Sequence, residues 1–371
     1  MYDVTLQNKN SYITINSYNS KNRISGSYTK GKNQIPSFTF DIYQDNDGYK
    51  QIIEYSTLVR VEDPKETDDD KRQKFGGRVI LVEPKISDSG IIYKTVTCEG
   101  WAGYLNDSIN YLYAAIEGKT EDILLNKVVQ QLLKWHNENT STEAFIYIPT
   151  WTTNLTLDEY TPSYERTTWG ALTDELMTND LTYDVKEIIA GDNIRQRKMI
   201  VNQNINNNYD SDTTIKLCLN MKSLSITNNF DDLCTRVIPL NKNGAPMGTV
   251  GQEAVWVDDE TATSKYGIIT KSHKFENISK TSKLKKNATK WLSKNSVIKR
   301  TVSVNALDLH GLGLTVDEFE IYHTYLIDCR EIGLSERLEL TQITRDINNI
   351  WDVQLTFGER LYSARKYKTM R

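Results

Sequence analysis

Cysteine is scarce in this sequence, and its few cysteines form no CxxC pair. The chain also lacks the apolar run of ~18 residues that a membrane-spanning helix needs, and its first residues, MYDVTLQNKN, lack the apolar segment of a secretory signal. We therefore expect reduced thiols in a protein made in the cytosol, with a disulfide between distant strands as the alternative. The four thiols are Cys98, Cys218, Cys234 and Cys329.

An excess of charge of one sign is also missing. Lys and Arg number 45 against 49 Asp and Glu, a formal net charge of -4, which gives no reason to expect a dedicated binder of nucleic acid or of anionic membranes. Phenylalanine is rare as well, with 8 residues against 21 tyrosines. Tyrosine- and threonine-rich chains favour β structure, and 371 residues are enough for two to four domains.

The motifs that carry common enzyme chemistry are missing too. The sequence contains no HExxH, GxSxG, GxxxxGK[ST] or GxGxxG, and no histidine lies at zinc-finger spacing from another histidine or a cysteine. We therefore predict no catalytic residue, no cofactor and no metal site.

β patterns dominate both ends of the chain, and helical patterns lie between them. The predicted fold is α+β and mainly β, with two related small antiparallel β-barrels, the second split by an inserted segment, and a mixed α+β domain. Helices are predicted from Thr120, Thr168 and Ser279. The predicted domains are a first barrel (1–105), a mixed domain (106–215, with 245–295 inserted from the second barrel), a second barrel (216–244 and 296–362) and a tail (363–371).

The first and last β regions share an order of signals. A strand after Tyr55 is followed by strands at 78–83 and 93–98, and a strand after Tyr322 is followed by strands at 338–344 and 351–357. We interpret the two regions as copies of one barrel, with chance similarity of two meanders as the alternative. Three such chains would place six barrels around one axis.

Several ordered segments resemble siphophage tail-hub proteins, the tail-associated lysin or prophage endopeptidase tail family. The first two are FGGRV at 75–79 and CEGWAGYLNDS at 98–108, and the others are DDLCTRVIPL at 231–240 and TQITRDINNIWDVQLTFG at 341–358. The resemblance implies the hub fold of contractile-phage baseplates, with two related barrels in a trimer. Longer members carry a lytic or fibrous extension, and this sequence stops at Arg371, so the resemblance carries over no lytic activity.

The resemblance implies a structural hub at the phage tail tip. It would be a homotrimer that closes or continues the tail-tube channel and takes part in gating DNA exit. Its expected partners are itself, the distal tail protein, the tail-tube or tape-measure protein, receptor-binding proteins and, transiently, passing DNA. Its expected location is the virion, after synthesis in the host bacterial cytoplasm.

Two other functions remain open from the sequence. One is a tail-borne peptidase or cell-wall hydrolase, and the other is a carbohydrate-binding adsorption module, which the Tyr- and Trp-rich composition also fits. For assembly we single out residues in the segments that carry the resemblance: Arg78, Glu99, Trp101, Arg236 and Trp351.

Overall fold

The structure is a computed structural model of the 371-residue chain. It describes residues 1–9, 11–20, 23–109, 121–140, 144–149, 155–159, 166–178, 181–190, 194–202, 209–248, 255–275, 278, 280–314 and 316–358.

The first lobe, residues 1–100, is an antiparallel sheet around a core that also contains Ile347 and Ile350 of the second lobe. Its strands alternate between buried and exposed positions, as in β4, where Phe38, Phe40 and Ile42 are buried and their neighbours lie outside. The elements are β1 (Asp3–Asn8), β2 (Ser11–Asn16), β3 (Ser25–Gly31), β4 (Ser37–Tyr43), β5 (Leu58–Glu62), α1 (Asp69–Arg72), β6 (Gln73–Ile86) and β7 (Ile92–Gly100).

The middle unit follows a 3₁₀ helix (Trp101–Asn106) and packs helices against small sheets. Helix α2 buries Leu125, Val128, Leu132 and His136 on one face, because residues three or four apart share a side of a helix. The elements are β8 (Glu121–Leu124), α2 (Leu125–Asn139), β9 (Phe145–Pro149), β10 (Thr156–Glu159), α3 (Thr168–Thr178), β11 (Thr182–Ala190) and β12 (Ile194–Asn202).

The second lobe (209–229 and 299–358) is interrupted by an inserted unit (231–295). The lobe opens with β13 (Asp210–Lys216) and β14 (Met221–Asn229). The inserted unit comprises β15 (Arg236–Leu240), β16 (Val257–Asp258), α4 (Glu260–Tyr266), β17 (Thr270–Lys274) and α5 (Thr281–Asn295). The lobe then closes with β18 (Lys299–Leu307), β19 (Thr324–Cys329), β20 (Leu334–Asp346) and β21 (Asp352–Gly358).

The strands of both lobes belong to one thirteen-stranded sheet. Its order is β14-β18-β21-β20-β3-β4-β7-β6-β5-β1-β2, and β13 and β19 branch from β20. The predicted fold class, α+β and mainly β, is confirmed. Among the described residues, however, neither lobe closes into a hydrogen-bonded barrel: β3 pairs with β20 instead of with β1 or β2, and β14 does not pair with β13.

The internal repeat is present as an equivalent strand order. The first lobe runs β3-β4-β7-β6-β5-β1, and the second runs β14-β18-β21-β20-β19-β13. Tyr55 and Tyr322 both have a positive φ, 57° and 72°, which is uncommon for residues other than glycine. Each donates its N–H to the middle strand, to Val79 O at 2.8 Å and to Leu340 O at 3.0 Å. The one difference in direction is that β1 pairs antiparallel with β5, and β13 pairs parallel with β19.

The start predicted for the first helix needs correction. Thr120 itself lies outside the described residues, and α2 begins only at Leu125. The preceding Glu121–Leu124 is strand β8, which pairs with β10 and buries Ile123 in the core of the middle unit. Pairing with a distant strand therefore overrides the helical pattern here.

The inserted unit starts earlier than the predicted residue 245. Strand β15, assigned to the second barrel, pairs with β16 and β17 instead, and its Val237 packs against Ala288 and Leu292 of α5. This core is separate from that of the middle unit. Residues 210–216, assigned to the mixed domain, form β13 and pair with β19. The predicted tail, 363–371, lies outside the described residues.

We expect one fast-reacting thiol per native chain. Cys218 is exposed, whereas the other three cysteines are buried. Burial raises the pKa of the Cys98 and Cys234 thiols, so less of the reactive thiolate forms there. Titration with a disulfide reagent should give one rapid equivalent, removed by Cys218→Ser, and three more only on unfolding. Four equal rates would contradict this prediction.

Candidate assembly site

The lobe junction is the pairing between β3 and the second half of β20. Five consecutive residues of each strand pair antiparallel, from Ser27 opposite Asp346 to Gly31 opposite Gln342. The hydroxyls of Thr29 and Thr344 lie 2.8 Å apart across it. Main-chain pairing therefore fuses the two lobes into one sheet.

A buried charge network backs the lobe junction. Arg345 is 2% exposed, and its guanidinium lies 2.7 Å from Asp308 and 3.6 Å from Glu318. Lys74 of the first lobe pairs with the same Glu318 at 2.9 Å. Burial alone raises the pKa of the Glu318 carboxyl, but Lys74 and Arg345 outweigh it and hold that pKa below its usual value. Ionic contacts thus tie both lobes together behind the paired strands.

Arg78 and Glu99, two predicted assembly residues, form a clamp within the chain. Arg78 Nε lies 2.7 Å from Glu99 Oε1, and its two terminal nitrogens lie 2.6 and 2.8 Å from the Asp107 carboxylate. The guanidinium is centred 4.2 Å from the Tyr104 ring. Burial alone lowers the pKa of Arg78, but the hydrogen bonds with Asp107 and Glu99 outweigh it and raise that pKa. The clamp fixes the 3₁₀ helix to β6 and β7.

Trp101, another predicted assembly residue, is buried between two arginines. Its ring lies 4.4 Å from the Arg197 guanidinium and 5.6 Å from that of Arg60. Glu187 pairs with both, at 2.7 Å from Arg60 and 3.1 Å from Arg197. The Glu187 side chain is only 2% exposed. This cluster ties the first lobe to the middle unit.

The remaining two predicted assembly residues lie apart from these clusters. Arg236 belongs to the inserted unit, where it binds Asp258 through two hydrogen bonds of 2.6 and 2.9 Å and lies 4.5 Å from the Trp256 ring. Trp351 is 38% exposed and precedes β21, whose inward residues, beginning with Val353, are buried. An assembly role for the five predicted residues therefore stays a prediction.

Arg345, Glu187 and Arg60 were not among the residues predicted from the sequence. A usable signal was present for Arg345, which follows Ile343 by two positions and so shares its face, one residue beyond the predicted strand 338–344. A charged residue at an inward position of an apolar strand needs a buried partner. The partner of Arg60, Glu187, lies 127 residues away, and the partners of Arg345, Asp308 and Glu318, lie outside its strand, so no local pattern identifies them.

A cleft of about 770 Å³ opens where the two lobes and the middle unit meet. Its walls include Lys30, Trp101, Tyr183, Glu318 and Tyr322. Tyr322 donates its hydroxyl to Tyr183 O at 3.0 Å, which closes one side. The walls carry both signs of charge, and several belong to the networks described above. The described residues contain no group of three or more His, Cys, Asp or Glu arranged for a metal ion.

Several stretches of strand edge have no strand partner among the described residues, and two of them matter for assembly. One is the outer side of β14, and the other is the second half of β6, beyond its pairing with β5. Hydrophobic side chains stand exposed beside both: Ile226, Phe230, Leu81 and Ile86. In the part of the chain that the structure describes, no helix is long and apolar enough to cross a membrane.

Comparison with known proteins gives a family for the carboxy-terminal part. Residues 209–367 match the model of the family described as prophage endopeptidase tail. No curated protein sequence matches the chain.

Three solved structures share the fold over almost the whole chain. A tail protein from Neisseria meningitidis is 13% identical with a TM-score of 0.62, covering 96% of both chains. The 43 kDa tail protein of prophage MuSo2 from Shewanella oneidensis is 12% identical with a TM-score of 0.63, covering 96% of this chain and 98% of its own. Prophage tail protein gp18 from Listeria monocytogenes is 13% identical with a TM-score of 0.57, covering 99% and 97%. The chain therefore has the fold of phage tail proteins and carries, in residues 209–367, a domain of the prophage endopeptidase tail family.

Proposed function

We propose that this protein is a structural hub of a phage tail tip that works as a homotrimer. The observation that carries the proposal is the internal repeat, six strands in equivalent order in each lobe, within a chain that contains a prophage tail domain. Three copies place six equivalent lobes around one axis, which suits a transition from a sixfold tail tube to a threefold tip. The ring of lobes closes or continues the channel of the tube.

The hub joins the tube to the distal parts of the tail. Its partners in this proposal are the tail-tube or tape-measure protein, the distal tail protein and receptor-binding proteins, and passing DNA touches it transiently. Its place is the tail tip of the virion, after synthesis in the host cytoplasm. The chain acts by assembly rather than by catalysis.

Gating of DNA exit is a further part of the proposal. An opening of the trimer at infection releases the channel, as rigid units that move about an interface do in other switches. A structure of the tail tip before infection should show a constricted channel. A wide open lumen at that stage would contradict the gate and leave the hub itself in place.

Light scattering after size exclusion tests the trimer. We expect a mass of about three times the 42.7 kDa of the chain, because each lobe pair leaves strand edges for neighbouring copies. If the purified protein is a monomer, addition of tail-tube and distal tail proteins should produce the trimer. A chain that stays monomeric alone and in these mixtures would contradict the proposal.

A further inference from the structure

The free edge of β14 is unusually unprotected. From Ser223 to Asn229 the strand contains no charged residue, and most of its side chains are exposed on both faces, with Ile226 38% exposed. Strand edges in monomeric proteins are normally shielded by charges, bulges or covering segments. A long uncharged edge that ends at an exposed Phe230 therefore fits pairing with another strand.

The internal repeat identifies the strand that pairs with β14. The alignment of β6 with β20, the middle strands of the two repeats, is the first step in finding the register. Val79 of β6 and Leu340 of β20 each accept the N–H of a left-handed tyrosine. Each also precedes a register irregularity, between Val79 and Leu81 and between Leu340 and Gln342. Residues 81–85 are therefore equivalent to residues 342–346, the part of β20 that pairs with β3.

The same register runs across the first lobe to β3. Opposite Val79 lies Cys98 of β7, opposite Cys98 lies Phe38 of β4, and opposite Phe38 lies Tyr28 of β3. These four residues form one row across four strands. The row fixes the position of β3 relative to the irregularity in β6.

The second lobe has a matching row. Opposite Leu340 lies Phe357 of β21, opposite Phe357 lies Val302 of β18, and opposite Val302 lies Ile226 of β14. Tyr28 and Ile226 are therefore equivalent. The sequences agree with this register, since residues 25–29 read SGSYT and residues 223–227 read SLSIT.

We propose that β14 of one copy pairs antiparallel with residues 81–85 of β6 in the next copy, as β3 pairs with residues 342–346 of β20 within the chain. Thr227 then lies opposite Glu83, at the place where Thr29 lies opposite Thr344. The lobe junction inside each chain alternates with an equivalent junction between chains. Three copies complete the ring, so this inference rests on the proposed function and specifies its interface.

The chemistry of the two edges fits this register. Where the Thr29 and Thr344 hydroxyls meet at 2.8 Å, the Thr227 hydroxyl can donate to the Glu83 carboxylate. Because 223–229 carries no charge, no like charge faces Glu83 or Lys85. The exposed Leu81, at 46%, would be covered by the partner strand.

Pro84 also fits the position of an outer edge. The N–H of Val82 points away from β7, because it donates to the exposed Glu54 carboxylate at 2.9 Å. Pro84, two residues on, has its nitrogen on the same outer side and so removes no bond from the ladder with β7. The Pro84 carbonyl points outward with that nitrogen, so it can accept the N–H of Ile226 of the next copy once Glu54 moves aside.

Disulfide cross-linking tests the register directly. In a Cys218→Ser background, the double variant Thr227→Cys with Glu83→Cys should oxidise to a covalent species of three chains on a non-reducing gel. Each single-cysteine variant should stay at the mass of one chain. Thr29→Cys with Thr344→Cys, the equivalent pair within the chain, should form a disulfide without any change of mass and so verifies the geometry.

An out-of-register pair is the matched control. Ser223→Cys with Glu83→Cys displaces one sulfur by four residues, about 13 Å along the strand, and should give no cross-link. If light scattering shows a trimer but Thr227→Cys and Glu83→Cys do not cross-link, the proposed pairing is wrong and the hub proposal stands. A monomer that persists in the presence of tail proteins would overturn both.

Charged substitutions at Thr227 and Glu83 test the same contact without cysteine. Thr227 is exposed, so Thr227→Glu should leave the circular dichroism spectrum unchanged while it places two carboxylates opposite each other. We expect trimer formation to weaken at least about tenfold and to recover when Glu83→Lys is added. A trimer unaffected by Thr227→Glu, or a loss that Glu83→Lys fails to repair, would contradict the register. If β14 pairs with a strand of another tail protein instead of with a second copy of this chain, the proposed self-pairing is contradicted.

Discussion

Replacement of Arg345 by methionine is expected to lower the free energy of unfolding by about 3–5 kcal/mol, because it leaves the buried Asp308 carboxylate without its cation. The arginine is 2% exposed and lies 2.7 Å from Asp308, whose side chain is 1% exposed. It also helps to hold Glu318 ionised at the lobe junction. A loss of this size should appear as a lower urea midpoint and a melting temperature lower by many degrees.

An exposed arginine in the same lobe provides the control. The Arg330 side chain is 81% exposed and pairs with Asp328 at 3.2 Å. Because water already solvates it, Arg330→Met should change stability by no more than about 1 kcal/mol. Equal losses of stability for the two variants would show that the charge network at the lobe junction stabilises the fold no more than an exposed ion pair does.

Replacement of Glu187 by glutamine should have the second large effect on stability. The change keeps the shape of the side chain and removes the charge that Arg60 and Arg197 share around Trp101. Both guanidiniums are almost fully buried, with 3% and 6% of their side chains exposed. We expect a loss of about 3–5 kcal/mol, the usual cost when one partner of a buried ion pair is removed.

The location of Glu187 gives this prediction a second readout. Because the cluster ties β5 of the first lobe to β11 and β12 of the middle unit, Glu187→Gln should expose the middle unit to protease before the lobes unfold. Lys186→Ala on the same strand removes only a half-exposed contact of 3.9 Å to Asp184 and should leave the cleavage pattern unchanged. Identical proteolysis of wild type and Glu187→Gln would contradict a role in joining these units.

The charge clusters around Arg345 and Glu187 act within one chain, whereas the proposed interface acts between chains. Buried ion pairs fix how the lobes and the middle unit sit within one chain, while the charges beside the proposed interface, Glu83 and Lys85, are exposed. A rigid chain presents its two edges at a fixed angle, and that angle decides how many copies close a ring. Substitutions in the clusters should therefore act first on folding, and substitutions at Thr227 should act on assembly alone.

The sequence contained the repeat in a readable form. Tyr55 and Tyr322 precede equivalent meanders, and the alternation of Val353, Leu355 and Phe357 marks the inward face of β21. Strand alternation is local, since successive side chains point to opposite faces whatever the strand pairs with. Helix α3 likewise begins at the predicted Thr168.

The pairing partners of the strands could not be predicted from the sequence, because pairing is decided by segments far apart in the chain. The helical pattern after Thr120 gave no sign that Glu121–Leu124 would pair with β10, and the pattern of Arg236–Leu240 did not show that its neighbours would be β16 and β17. For the same reason the sequence could not show that β20 pairs with β3, which joins the two lobes into one continuous sheet.

The sequence by itself determined the mainly β composition, the order of the two repeated meanders and the family of the carboxy-terminal part, because these depend on residue type and spacing along the chain. Tertiary structure alone decided that Arg78 and Trp101 are buried within the chain, that Arg345 meets Asp308 and Glu318, and that no described strand pairs with the outer side of β14. Burial and pairing depend on which distant segments fold together, and only the folded chain brings those segments into contact.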